Sequence, residues 1–238
     1  NIEILPNAGG FESILKTLPG VTSNSELSSQ YNVRGGNFDE NLIYVNDVEI
    51  YRPFLVRSGQ QEGLSFINNK LVSSVVFSAG GFNASYGDKL SSVLDINYKK
   101  PRKNAASFSA SLLGASAHVE GISKSRRFSY LFGARYKTNK YLLSSMDTEG
   151  QYDPDFLDIQ TYAVYDLSDE LELSFLGHLG QNTYRFVPKD RETNWGTINE
   201  AYKLMIYFDG QEKDSYTTGT GAITARYHKL DKLEMKFI

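Results

Sequence analysis

The chain has 238 residues, 40% of them hydrophobic, and its 28 acidic against 25 basic side chains give a net charge of −3. That balance offers no footing for nucleic acid, and the absence of cysteine removes disulfide frameworks, thiolate catalysis and thiolate-bound zinc. Mean hydropathy is −0.38 and no apolar run reaches the roughly 18 residues of a membrane-spanning helix, but a transmembrane β-barrel alternates lipid-facing and lumen-facing side chains and keeps an ordinary average.

Asn1–Gly10 lacks the basic start and apolar core of a signal peptide. The chain opens as if already inside a domain and stops at Phe237–Ile238 within a strand-like run, so it reads as a piece of a longer polypeptide. Phe11, Ile14, Leu15 and Leu18 recur at helical spacing and predict a short helix over Gly10–Leu18, stopped by Pro19-Gly20. Tyr31–Arg34 and Asn41–Val45 read as short strands around a Gly35-Gly36-Asn37 turn. Asn46-Asp47 supplies another turn before Val48–Tyr51. Leu71–Ser78 and Val93–Tyr98 are further strands, with Gly80-Gly81 between them. The sum is a small α+β unit, marginal as a freestanding core. Lys99–Asn104, with Pro101 inside it, is a charged connector.

Beyond the connector the pattern becomes long alternation. In Phe128–Lys137 the even positions Phe128, Tyr130, Phe132, Ala134 and Tyr136 form an apolar face, and the odd positions include Ser129, Gly133, Arg135 and Lys137. Leu171, Leu173, Phe175, Gly177 and Leu179 make a second stripe, opposed by Glu170, Glu172, Ser174, Leu176 and His178. Ile159–Leu167 sets apolar or threonine residues against Asp158, Gln160 and Asp166, and Leu233, Met235 and Phe237 alternate with Lys232, Glu234 and Lys236. Period two assigns one face to each parity, which a soluble sandwich would also do. Connection lengths favour the barrel: Leu167–Glu170 and Lys229–Lys232 are tight turns, whereas Thr138–Asp155 and Phe186–Lys213 are long and polar. Seven strands are expected, over 105–113, 115–122, 127–138, 156–167, 170–185, 214–229 and 232–238, with every long loop at one end and every short turn at the other.

Three stretches resemble TonB-dependent outer-membrane receptors. Phe11–Val21 is similar to the helix ending in Leu-Pro-Gly-Val; Tyr31–Gly36 with Leu42–Val48 resembles the family's Arg-Gly turn and following strand; Val75–Phe77, Gly80–Gly87 and Ser91–Ile96 resemble the last segment before the barrel. Here Asn46-Asp47-Val48 stands where the family commonly has Asp-Gly-Val. The resemblance implies an antiparallel membrane β-barrel, partial here and of about 22 strands when whole, with a small α+β plug domain inside its lumen. Residues 1–100 would be the plug, and 101–238 the first barrel strands. It implies a surface receptor that imports ligand on energy from the inner-membrane proton gradient, in the outer membrane of a Gram-negative bacterium, and not an enzyme. TonB would bind an upstream Ton box, outer-membrane lipids would surround the wall, and a surface-exposed lipoprotein is a further partner if the barrel serves instead as a structural subunit.

Within that frame Arg34 would lock the plug to lumen-wall carboxylates such as Glu170 and Glu172 (or simply stabilise its own turn), with Arg135 on the same wall. Tyr51, Arg52, Phe54 and Arg57 would form an outward plug loop that meets ligand (or packs on the wall). No cofactor is expected. Asp147, Glu149, Asp153, Asp155 and Asp158 could supply oxygen ligands to calcium, with a solvated acidic loop as the default. His118, His178 and His228 lack metal-ligand spacing, and no nucleophile motif suggests catalysis. Cargo identity is beyond the sequence.

Overall fold

The computed structural model describes residues 11–23, 30–51, 66–138, 140, 150–197, 200–229 and 233–238. Helix α1 covers Glu12–Leu15 and buries Leu15. It is shorter than its apolar spacing predicts because Thr17 and Leu18 already bond back three residues, and Pro19 then intervenes. Strands β1 (Val21–Thr22) and β2 (Asn32–Val33) pair beside it.

Strands β3 (Asn41–Val45), β4 (Val48–Glu49), β5 (Val72–Ser78) and β6 (Ser92–Tyr98) form one small sheet in the order β4-β3-β6-β5. Its central pair β3–β6 is parallel. Parallel strands covered on both faces read as near-continuous apolar runs, and Leu42, Ile43, Val45, Val93, Leu94 and Ile96 are all buried. Inside that pair Asn41 donates to the Tyr31 carbonyl at 2.8 Å and accepts from Ser92 Oγ at 2.7 Å, so this buried amide is bonded at both ends.

After the connector, β7 (Ala105–Ser111), β8 (Gly114–Ile122), β9 (Phe128–Thr138), β10 (Gly150–Asp166), β11 (Leu171–Pro188), β14 (Glu212–Lys229) and β15 (Leu233–Phe237) make a seven-stranded antiparallel wall in chain order. The intervening β12 (Arg191–Gly196) and β13 (Ala201–Ile206) form a separate hairpin at the long-loop end. The wall thus has the strands and neighbours that alternation predicts, with three differences. Strand β10 starts six residues earlier than expected, at Gly150. A hairpin occupies the stretch expected to be a polar loop, because Trp195, Tyr202, Leu204 and Ile206 lie on one face and Glu192, Asn194 and Lys203 on the other. The Leu112–Leu113 turn is short, although it lies at the same end as the long loops.

The two parities of the wall meet different surroundings. On β9, Phe128, Tyr130, Phe132 and Tyr136 are exposed, while Ser129, Leu131 and Gly133 are buried. The buried parity faces the small sheet: Leu131 and Leu176 belong to the same apolar cluster as Leu15, Tyr31, Val45, Ile67, Leu71 and Ile96. The small sheet therefore completes its core on the wall, as a unit of that size requires. Among the described residues no helix is long and apolar enough to cross a membrane, which says nothing about strands.

Candidate functional site between the small sheet and the wall

Antiparallel register places two rows of inward side chains side by side. Arg135 on β9, Asp158 on β10 and Gly180 on β11 form one row; Gly133, Gln160 and His178 form the next. Two of these six are glycines, and both make room. A β-carbon on Gly133 would run into the Asn68 amide and the Leu71 methyls, and one on Gly180 would crowd the His178 ring and Thr218. The backbone segment Phe66–Asn68, just before β5, settles into this space, and all three of its residues are buried.

What fills the space is a closed polar network. Arg135 Nε donates to Asp158 Oδ1 at 2.9 Å, and its terminal nitrogens reach the Ile67 carbonyl at 2.7 Å and the Phe66 carbonyl at 3.4 Å. Gln160 Nε2 donates to the Phe66 carbonyl at 2.6 Å and to Asp158 Oδ2 at 3.1 Å, and Gln160 Oε1 accepts from the Tyr98 hydroxyl at 2.7 Å. His178 Nε2 lies 3.0 Å from Asp158 Oδ2. A carboxylate only accepts, so this contact places the ring proton on Nε2. The Phe66 ring stands edge-on to His178 at 4.8 Å between centroids. Burial pushes the Tyr98 hydroxyl above the usual phenol range, keeping it a donor. Asp158 is 5% exposed and Gln160 1% exposed, so the Arg135–Asp158 pair operates with little water nearby, where removal of one partner is costly.

A second contact lies toward the short-turn end. Lys100, in the connector, donates to Asp166 and Glu172 at 2.9 Å each. Burial pulls the Lys100 ammonium pKa down, but the bonds from Glu172 and Asp166 outweigh that and raise it. The neighbouring Lys99 lies 4.0 Å from Glu120 on β8, which also meets His118 at 3.2 Å. Consecutive lysines of the connector thus reach strands on either side of β9.

The sequence candidates divide among these contacts. Arg135 sits in the buried network and Glu172 in the connector cluster. Glu170 lies at the end of the wall and accepts from the Tyr227 hydroxyl at 3.1 Å. Arg34 is exposed in a left-handed turn (φ 50°), its backbone N–H bonded to the Gly20 carbonyl and its guanidinium close to Gly80; among the described residues it meets no wall carboxylate. Tyr51 is 78% exposed, and Arg52, Phe54 and Arg57 lie outside the described residues, as do Asp147 and Glu149. Asp153 pairs with Lys140, Asp155 accepts from Tyr136 and Asp158 joins the network. Among the described residues no group of acidic or histidine side chains is arranged to hold a metal. Sequence reasoning passed over Gln160, His178 and Phe66–Asn68 as site residues. Parity puts Asp158, Gln160 and His178 on one face, but the register that makes them neighbours is a tertiary property.

Residues 3–92 match the family described as the TonB-dependent receptor plug domain. No curated protein matches the sequence. Among solved structures, the siderophore receptor PirA from Pseudomonas aeruginosa is similar at 16% identity and TM-score 0.55, over 95% of this chain and 41% of that one. A variant of the ferric enterobactin receptor PfeA from the same organism is similar at 17% identity and TM-score 0.58, over 94% of this chain and 36% of that one. The chain spans about two fifths of the length of these structures, and identity this low carries the fold alone.

Proposed function

We propose that this chain, with residues 3–92 a TonB-dependent receptor plug domain and a seven-stranded meander bonded to it, is the gated part of an outer-membrane importer. In this reading residues 1–100 are the plug and 101–238 the first strands of a barrel of about 22. The exposed aromatic parity of the wall faces lipid in the outer membrane of a Gram-negative bacterium, and the other parity faces the plugged lumen. Ligand binds outside, where Tyr51, Arg52, Phe54 and Arg57 are the plug residues we assign to it. TonB, drawing on the proton gradient, pulls the plug from a segment upstream. Arg34 and Glu170 remain candidates for contacts made once the plug has moved.

The observation that carries this reading is the buried network of Arg135, Asp158, Gln160 and His178 on the Phe66 and Ile67 carbonyls. It binds plug backbone to wall side chains by directional bonds that can be broken and remade, which suits a gate better than a greasy seal.

Cysteine accessibility tests it, since this chain has no cysteine. The full-length receptor carrying Asn68→Cys is exposed to a membrane-impermeant maleimide on intact cells. Labelling is expected in energised cells, and to fall when TonB is deleted or the proton gradient is collapsed. Labelling that ignores both would remove the import reading. A scaffold role in a complex with a surface lipoprotein is the second reading, favoured by the exposed apolar face of the β12–β13 hairpin. It predicts a missing Ton box and growth that does not depend on TonB.

A further inference from the structure

Asp47 breaks a local backbone rule, and the wall supplies the reason. The two-residue turn between β3 and β4 holds Asn46 and Asp47 at φ 48° and 69°. Turns of this kind favour glycine at the second position, because any β-carbon there is strained. Asn46 belongs in the turn on its own account: its N–H bonds the Ile96 carbonyl and its Oδ1 accepts from the Tyr98 N–H, both at 2.9 Å. The Asp47 side chain reaches out of the plug instead. Its Oδ2 lies 3.3 Å from an Arg226 terminal nitrogen on β14 and also pairs with Lys236 on β15. Arg226 faces Glu172 at 3.7 Å and Glu234 at 3.6 Å, and Glu172 holds Lys100. Signs alternate through Lys100, Glu172, Arg226, Asp47 and Lys236, from the connector across the inner face of the wall to the plug turn.

We propose that Asp47 is an electrostatic catch that holds the plug turn on strands β14 and β15. It fixes the edge of the plug from which Tyr98–Lys100 pass into the wall, so that rearrangement is confined to the rest of the plug. A glycine would relax the turn and remove the turn's own tie to the wall. The proposal rests on the plug-in-barrel reading above, but not on transport.

Hydrogen–deuterium exchange on the full-length receptor reads the catch without an uptake assay. The amides of Asn46, Val48 and Ile50 are followed in wild type and in the Arg226→Gln, Lys236→Gln double variant, whose changes lie far from the turn in sequence. At low NaCl the double variant is expected to exchange there about fivefold faster, the scale of two partly exposed ion pairs. High NaCl should bring wild type to the same rate and leave the variant unmoved. Asp47→Asn, which tolerates the left-handed turn, should exchange as fast as the double variant and gain nothing when combined with it. Unchanged exchange in the wall variant, or additive effects in the Asp47→Asn background, would overturn the catch. An importer that failed the maleimide test could still pass this one, so the two readings fail separately.

Discussion

Two polar contacts between the plug and the wall are built from the same chemistry and set in different surroundings. At Arg135–Asp158 the side chains are 13% and 7% exposed, and both Asp158 oxygens meet protein partners: Arg135 at Oδ1, Gln160 and His178 at Oδ2. Around Asp47, Arg226 and Lys236 the exposures run from 27% to 43%. Buried, an ion pair is expensive to break because the abandoned charge has no water to turn to. Half-exposed, it contributes little and yields to salt. The first contact is therefore a latch that needs work to open, and the second a catch that ionic strength can weaken.

Substitutions can break or sharpen that contrast. The largest effect is expected from Asp158→Ala, which strands the Arg135 guanidinium: the hold on Phe66–Asn68 should weaken by about 3–5 kcal/mol, seen as accelerated amide exchange at residues 66–71 with the wall itself intact. Protection there equal to wild type would mean the network is ornamental. Next, Gly133→Ala should cost about 1–3 kcal/mol by driving a methyl into Asn68 and Leu71, with Gly219→Ala as a control, since its nearest neighbour is Leu179 at an ordinary 3.6 Å. Lys100→Met should cost roughly 0.2–1 kcal/mol after solvent screening, lost in high salt, as read by the urea midpoint of plug release. The smallest effect belongs to Lys203→Ala, which removes an exposed partner of Glu192 at 2.9 Å and should leave the thermal midpoint where it is in wild type. A cost of Asp158→Ala that shrinks with salt, or a cost of Lys100→Met that does not, would erase the distinction between the buried and the exposed contacts.

How much of this could be read beforehand varies with the kind of order involved. Strand β9 was legible almost residue by residue because its alternation is enforced by two unlike solvents. The early start of β10 was hidden because its added length, Gly150–Asp155, carries a glycine, a proline and two aspartates, residues that read as loop. The parallel pairing of β3 with β6 is a long-range choice to which local propensity is blind. At the site, Arg135 could be placed on the inner face from parity, whereas the Phe66 and Ile67 carbonyls it clamps carry no side-chain signal at all. Arg34 drew attention through its Arg-Gly turn, and the structure places it in that turn. Asp47 was visible as a departure from Asp-Gly, yet its meaning came only from strands almost two hundred positions later.

The shared core has a consequence for biogenesis. Leu15, Val33 and Ile67 are packed in one cluster with Leu131 and Leu176, so the segment synthesised first is finished last. Contacts so distant along the chain close slowly, and until the later strands arrive the residues that precede them carry an open apolar flank. Completion of that core then reports whether strands β9 and β11 have docked.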